Sequence, residues 1–279
     1  MNYRIIADSS ADLLSVADVD FASVPLKIIT DEKEYVDQRG LDVAGMLDDL
    51  EAYKGRSSSS CPNAADWIEA FGDAENIFCV TITSGLSGSC NCARMAAAEY
   101  TDEHADRKVF VIDTLSVGPE AVLIVERLRE LIMSGESFED IVDEIKEYQK
   151  STHLLFALES LHNLANNGRV SPLVAKVAGV LDIRVVGKAS NEGTLEIANK
   201  CRGRYRTLVA ILDNMAACGY DGGRVRIHHC ENEDAAKVLA MEIHKSYPEA
   251  DIKIRRTRGL CSFYAERGGM LIGYEGAEK

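Results

Sequence analysis

The chain of 279 residues contains eight cysteines but no Cys-x-x-Cys pair, so the thiol spacing of a zinc site is missing. Cys90 and Cys92 are two apart in what reads as a helix, where such neighbours face different ways. All eight thiols therefore read as reduced and mostly buried small hydrophobes, and the expected compartment is the cytoplasm. No apolar run approaches the ~18 residues of a membrane span. The opening stretch reaches Asp8 too soon for a secretory signal. Positive charge is in deficit: 31 Lys and Arg stand against 45 Asp and Glu, a formal net charge of −14. That balance argues against a nucleic-acid backbone or an anionic membrane as partner, since both want clustered cations. Histidine spacing is unhelpful as well. His228 and His229 end a strand and face opposite sides, the other four have no useful spacing, and no metal is expected.

What remains is an ordinary globular composition, 46% hydrophobic and 27% charged. A chain of this length buries about three quarters of the surface it would expose unfolded, without disulfide staples. Short runs rich in Val, Ile, Phe and Leu predict strands at 3–7, 77–82, 108–112, 154–158, 183–186, 225–229, 252–254 and 270–274. Apolar residues at three-to-four spacing predict helices at 121–133, 138–150, 204–217 and 234–246. Phe138, Ile141, Val142 and Ile145 form one such stripe. The alternation predicts an α/β fold with a mainly parallel sheet in the first part. Residues 192–197 look like a hairpin partner of the strand at 183, so the sheet of the second part is expected to be mixed. The expected boundary separates an N-terminal α/β domain, 1–153, from a C-terminal one, 154–279, with a ligand in the cleft between them.

Three segments share one design, a strand followed by a small-residue turn and a helix. They are Asp8-Ser9-Ser10-Ala11-Asp12, Thr83-Ser84-Gly85-Leu86-Ser87-Gly88-Ser89, and Asp113-Thr114-Leu115-Ser116-Val117-Gly118-Pro119. Ser9 and Asp12 have capping-box spacing, and Pro119 stands like a first-turn residue. Exposed N–H groups at the positive end of a helix favour an anion at such places. The middle turn lacks the lysine of a P-loop and fails the Gly-x-Ser-x-Gly pattern of a nucleophile elbow. It reads either as an anion cradle or as a plain helix start with Ser87 as N-cap. A second hydroxyl cluster, Ser57-Ser58-Ser59-Ser60, precedes an amphipathic stretch that starts near Trp67. Arg169, after a turn with the residues of a helix C-cap, and Arg202 could hold a phosphate or meet an acidic partner.

In order along the chain, Ile6-Ala7-Asp8-Ser9-Ser10-Ala11-Asp12-Leu13, Val24-Pro25-Leu26, Tyr35-Val36-Asp37, Ser59-Ser60, the Thr83–Ser89 turn, Val111-Ile112-Asp113-Thr114, Leu158-Glu159-Ser160-Leu161 and Gly168-Arg169-Val170-Ser171 form a specific series. By that series the whole chain resembles the DegV family of bacterial fatty-acid-binding proteins. The resemblance implies two α/β domains with a long-chain fatty acid buried between them. It implies a carboxylate held by Ser59, Ser60, Ser84, Gly85 and Ser87, and a carrier that presents the acid to a fatty acid kinase. Arg169 and Arg202 match the arginines assigned to that kinase or phosphate contact. No cofactor beyond the bound acid is implied, no catalytic residue and no membrane insertion.

The chain departs from the family in two places. The family's His-x-Gly-Pro-Gly is replaced by Tyr264-Ala265-Glu266-Arg267-Gly268, and its Thr-Ser-x-Pro by Ser59-Ser60-Cys61-Pro62. Tyr264 is then expected beside the carboxylate, as a neutral donor in place of a titratable ring. Two alternatives come from other classes: a serine-dependent acyl hydrolase, which needs a base beside its serine, and a binder of another carboxylate or phosphate metabolite.

Overall fold

The computed structural model describes residues 2–171 and 182–279. A four-stranded sheet has the order β2-β1-β6-β7, with β1 at Tyr3–Asp8, β2 at Asp20–Val24, β6 at Asn76–Thr81 and β7 at Lys108–Asp113. Every pairing in it is parallel. Parallel strands are covered on both faces, which is why their sequences read as continuous apolar runs. All six residues of β6 are buried. Ile77 and Cys79 pack with Trp67 and Phe71 of α2 (Ala64–Phe71) and with Ala93 and Ala96 of α3 (Ser89–Glu103). Phe78 and Val80 point the other way, onto α4 (Pro119–Ser134) and α5 (Phe138–Lys150). Ser137 caps α5 by accepting from Asp140 N–H. Its predicted stripe is inward, with Phe138, Ile141 and Ile145 buried and Val142 partly so. Pro119 stands in the first turn of α4, where its missing N–H costs nothing.

A six-stranded sheet has the order β10-β9-β8-β13-β11-β12. Its strands are β8 (Thr152–Leu158), β9 (Ile183–Ala189), β10 (Leu195–Arg202), β11 (Val225–His229), β12 (Ile252–Arg256) and β13 (Met270–Glu275). Only β11 and β12 pair in parallel; the rest are antiparallel. The mixed sheet expected of the second part is therefore present, and the hairpin partner of β9 is β10, longer and later than 192–197. Helices Arg204–Ala217 and Glu233–Ser246 cover the outer face, burying Ile211, Met215, Leu239 and Ile243. Helix α4 touches strands of both sheets.

A third, small antiparallel sheet was not legible in the sequence. It has the order β4-β3-β5, from Glu34–Val36, Lys27–Ile29 and Ser58–Ser60. Three-residue strands carry too little periodicity to be read. Strands β3 and β4 precede α1 (Val43–Ala52) and β5 follows it, and both β3 and α1 pack against the helix Gly259–Ala265 near the C-terminus. The clamp between these distant segments is Asp37, which has no exposed surface. It accepts from Gly259 N–H and Leu260 N–H, each at 2.9 Å.

Burial pushes the pKa of Asp37 up to about 6, against the pull of those two N–H donors. The folded value lies above the ordinary 3.8, so the folded chain holds this proton more tightly than the unfolded one. Stability from this group is present below the unfolded value and is lost as pH rises through about 6. Relative to Asp37→Asn, the native protein should lose about 3 kcal/mol of unfolding free energy between about pH 3 and pH 7. Urea denaturation across that range measures it; parallel stability curves for the two proteins would refute the assignment.

Candidate functional site

A cavity of about 270 Å³ lies where the small sheet, the start of α3, the six-stranded sheet and the helix Gly259–Ala265 meet. This is near the lower edge of the ~300–1,000 Å³ usual for small-molecule sites. Two kinds of wall enclose it. Leu154, Phe156, Leu158 and Leu271 from β8 and β13, with Leu26, Ile82, Val117 and Leu260, make an apolar surface. Ser59, Ser60, Ser87, Tyr264 and Arg169 supply the polar groups. Such a cavity suits a ligand with one polar end and a long apolar body.

Each polar side chain arrives by its own local structure. Ser59 and Ser60 belong to β5, held in register by pairing with β3. Ser59 Oγ lies 2.7 Å from the Tyr264 hydroxyl, so the two oxygens share one proton and leave the other available to a ligand. Tyr264 rides on the helix that Asp37 anchors. Asn163 of α6 (His162–Asn166) also ties that helix in place, its Nδ2 donating to Phe263 O at 2.8 Å. Arg169 follows α6 by a Schellman turn. Gly168 at φ +74° sends its N–H to Ala165 O, and Arg169 N–H reaches Leu164 O at 2.8 Å. The Arg169 guanidinium then stands 5.8 Å from the centre of the Tyr264 ring, a cation–π distance, and donates to Leu86 O.

The turn before α3 is built on Asp8. This buried carboxylate accepts from Ser10 N–H and Ser10 Oγ on one oxygen, and from Ile82 N–H and Ser89 Oγ on the other. Burial raises its pKa, opposed by those four hydrogen bonds. Gly88 rather than Ser87 takes the N-cap position and has no side chain to cap the helix. Ser87 Oγ accepts from Ser89 N–H at 3.3 Å. Among the described residues no side chain accepts from the N–H groups of Cys90 or Asn91, so the helix keeps unsatisfied donors and its positive dipole end beside the cavity.

Two of the residues expected at the carboxylate, Ser84 and Gly85, are not in the cavity wall. The Ser84 side chain is exposed and its N–H goes to Asp113 Oδ1. Gly85 turns toward the β9–β10 hairpin, where a Cβ on it would lie 2.9 Å from Gly193 O, while Thr83 Oγ1 donates to the same Gly193 O. The Ser-Gly half of the turn thus docks the hairpin, and only its Ser87-Gly88 half lines the cavity. Arg202 ends β10 with its side chain exposed and is not part of the cavity wall. Ser9 does not cap as its spacing suggested. Its Oγ accepts from Leu26 N–H, and Asp8 caps the short turn instead.

Asp12 and His228 form a buried pair that sequence reading missed, Oδ2 to Nδ1 at 2.8 Å, across 216 residues of chain. Asp12 also takes Arg258 N–H. Nothing local in the sequence announces such a partner. Among the described residues no histidine lines the cavity, and none of the groups of His, Cys, Asp and Glu could hold a metal ion. No helix among them is long and apolar enough to cross a membrane.

Known proteins share this fold. A family model described as uncharacterised protein, DegV family, matches residues 2–275. A DegV domain-containing protein of Streptococcus pneumoniae (strain ATCC BAA-255 / R6) is 46% identical over 279 residues, 99% of either chain. The crystal structure of a DegV family protein from Eubacterium eligens, loaded with heptadecanoic acid, superposes with a TM-score of 0.97 at 46% identity, covering 99% of this chain and 100% of that one. The Streptococcus pneumoniae Fatty Acid Kinase (Fak) B3 protein, loaded with linoleic acid, gives a TM-score of 0.97 at 45% identity over the same shares.

Proposed function

The chain belongs to the DegV family, and from that membership and the shape of its cavity we propose that it binds one long-chain fatty acid and carries it, in the cytoplasm, to a fatty acid kinase. The observation that carries this reading is the division of the cavity into an apolar wall and a separate set of hydroxyl, guanidinium and helix N-terminal donors. In it the acid lies at the junction of the two α/β parts, 1–153 and 154–279. Ser59, Ser60, Ser87 and Tyr264 hold its carboxylate, with the start of α3 supplying the favourable potential. The related proteins from Eubacterium eligens and Streptococcus pneumoniae, loaded with heptadecanoic and linoleic acid, support the ligand class. The kinase named for the second of them supports the partner.

Arg169, beside Tyr264 at the cavity, is the residue suited to meet the phosphate of an acyl phosphate product. Arg202, exposed at the end of β10, is suited to contact the kinase itself. The acyl-hydrolase alternative needs a base next to a cavity serine. The partner of Ser59 is instead a neutral hydroxyl, and the buried His228 is held by Asp12. The reading adopted is therefore binding without turnover.

Denaturing the purified protein and identifying the released small molecules by mass spectrometry tests the proposal. A fatty acid should come off in roughly stoichiometric amount. A nucleotide or sugar phosphate with no lipid would overturn it.

A further inference from the structure

We infer that the contact between Phe156 and Gly187 decides how much acyl chain the cavity accepts, and so selects among fatty acids by length. The inference rests on the fatty-acid reading of the cavity. Strand β8 alternates: Leu154, Phe156 and Leu158 face the cavity, while Leu155 and Ala157 join the core under the outer helices. Phe156 therefore belongs to the apolar wall, whereas the hydroxyls come from β5, the start of α3 and the helix Gly259–Ala265. Across the sheet it stands directly between Gly187 on β9 and Leu271 on β13.

A Cβ built on Gly187 would lie 2.2 Å from Phe156 Cζ and 2.5 Å from its Cε2. Real carbon atoms do not approach so closely, so the Phe156 ring occupies the very place a side chain at 187 would take. A glycine inside a strand marks such a close approach. Here it lets the largest side chain of the apolar wall lean onto β9 and off the cavity. The ring has no other refuge, because Leu154, Leu158 and Val185 beside it are themselves buried and packed. Any side chain at 187 would push it back over the space meant for the ligand.

Three variants separate the possibilities: Phe156→Ala, Phe156→Leu and Gly187→Ala. The same Cβ at 187 would also lie 2.5 Å from Glu196 O, so Gly187→Ala strains the β9–β10 pairing, and the two Phe156 variants carry the decision. Each protein, checked for folding by its thermal melt, is incubated with phosphatidylcholine vesicles holding equal amounts of lauric, myristic, palmitic and stearic acid. It is then repurified, and its bound acids are weighed by mass spectrometry. Phe156→Ala should raise the ratio of bound stearate to myristate about tenfold over the native protein, the factor carried when about two of the four methylenes that separate these acids become buried. Phe156→Leu should raise it less, and a folded Gly187→Ala should lower it. If a folded Phe156→Leu holds acids in the native ratio, or holds none while the native protein is loaded, the selective role is overturned and the fatty-acid reading stands. If the native protein itself takes up no acid, both fall.

Discussion

Replacing Asp8 by alanine should destabilise the protein by about 3–6 kcal/mol and abolish fatty-acid binding at any temperature where the variant still folds. The estimate counts the four donors that lose their acceptor, Ser10 N–H, the Ser10 hydroxyl, Ile82 N–H and the Ser89 hydroxyl, each at ~1–3 kcal/mol when buried without a partner and less for a hydroxyl that can rotate to another acceptor. The gain from no longer desolvating a carboxylate, which is what raises the Asp8 pKa, brings the total below the simple sum. Asp8→Asn is the informative companion. Serine hydroxyls can rotate to accept from an amide NH2, but a backbone N–H cannot. Whichever way the amide turns, either Ser10 N–H or Ile82 N–H faces another donor. One orphan should cost about 1–3 kcal/mol, roughly half of the alanine effect or less. Urea denaturation measures both variants. Equal losses for Asn and Ala would mean that the charge itself, and not the hydrogen-bond geometry, holds the turn.

Binding should fail along with stability because Asp8 lies under the site. Its second oxygen fixes Ile82 at one end of the turn and Ser89 at the other. Between those two pins lie Ser87 and Gly88, which face the cavity. A turn released at both ends no longer presents Ser87 and the start of α3 at one point, and the preorganisation that makes hydrogen-bond donors effective is lost.

The same turn explains which parts of the molecule the sequence made legible. Strands β1, β6 and β8 are largely buried on both faces, so their apolar runs stand out from any neighbouring context. The helices 138–150 and 204–217 were found to the residue because one stripe of each is buried and the other solvated. Residue types in the Thr83–Ser89 turn admit either an anion cradle or a plain helix start. They could not say which hydroxyls face inward, since that depends on the β9–β10 hairpin docking against Thr83 and Gly85, more than a hundred residues on. The small sheet carrying Ser59 and Ser60 was invisible for a similar reason. Its short strands are stabilised from outside, by Asp37 gripping the helix near residue 260. The contact of Tyr264 with Ser59 was not legible either, because the helix that carries Tyr264 is set in place by Asp37 and Asn163 from far along the chain. Arg169 and Arg202 look alike in sequence. Only the Schellman turn at Gly168 sends the first of them into the cavity.

Removing the two hydroxyls that reach the cavity from β5 and from the turn before α3 should weaken fatty-acid binding about a hundredfold or more in the Ser59→Ala, Ser87→Ala double variant. A hydrogen bond to a charged group contributes about 1.5–3 kcal/mol, and each 1.4 kcal/mol is a factor of about ten. The single variants should not share the loss equally. When Ser59 is truncated, the Tyr264 hydroxyl 2.7 Å away loses its partner and can turn its own proton to the carboxylate, so Ser59→Ala alone should cost about tenfold or less. Ser87 has no such understudy, and its removal should cost more. A double-mutant cycle tests this asymmetry: Ser59→Ala and Tyr264→Phe should be strongly non-additive, because they share one hydrogen-bonded pair, whereas Ser59→Ala and Ser87→Ala should add within a few tenths of a kcal/mol. Displacement of a fluorescent fatty acid gives the affinities, and thermal melts control for folding. If Ser87→Ala lowers the melting temperature and leaves affinity unchanged, the hydroxyl serves only Ser89 N–H at the start of α3, and the carboxylate is held by Ser59, Ser60 and Tyr264 without it.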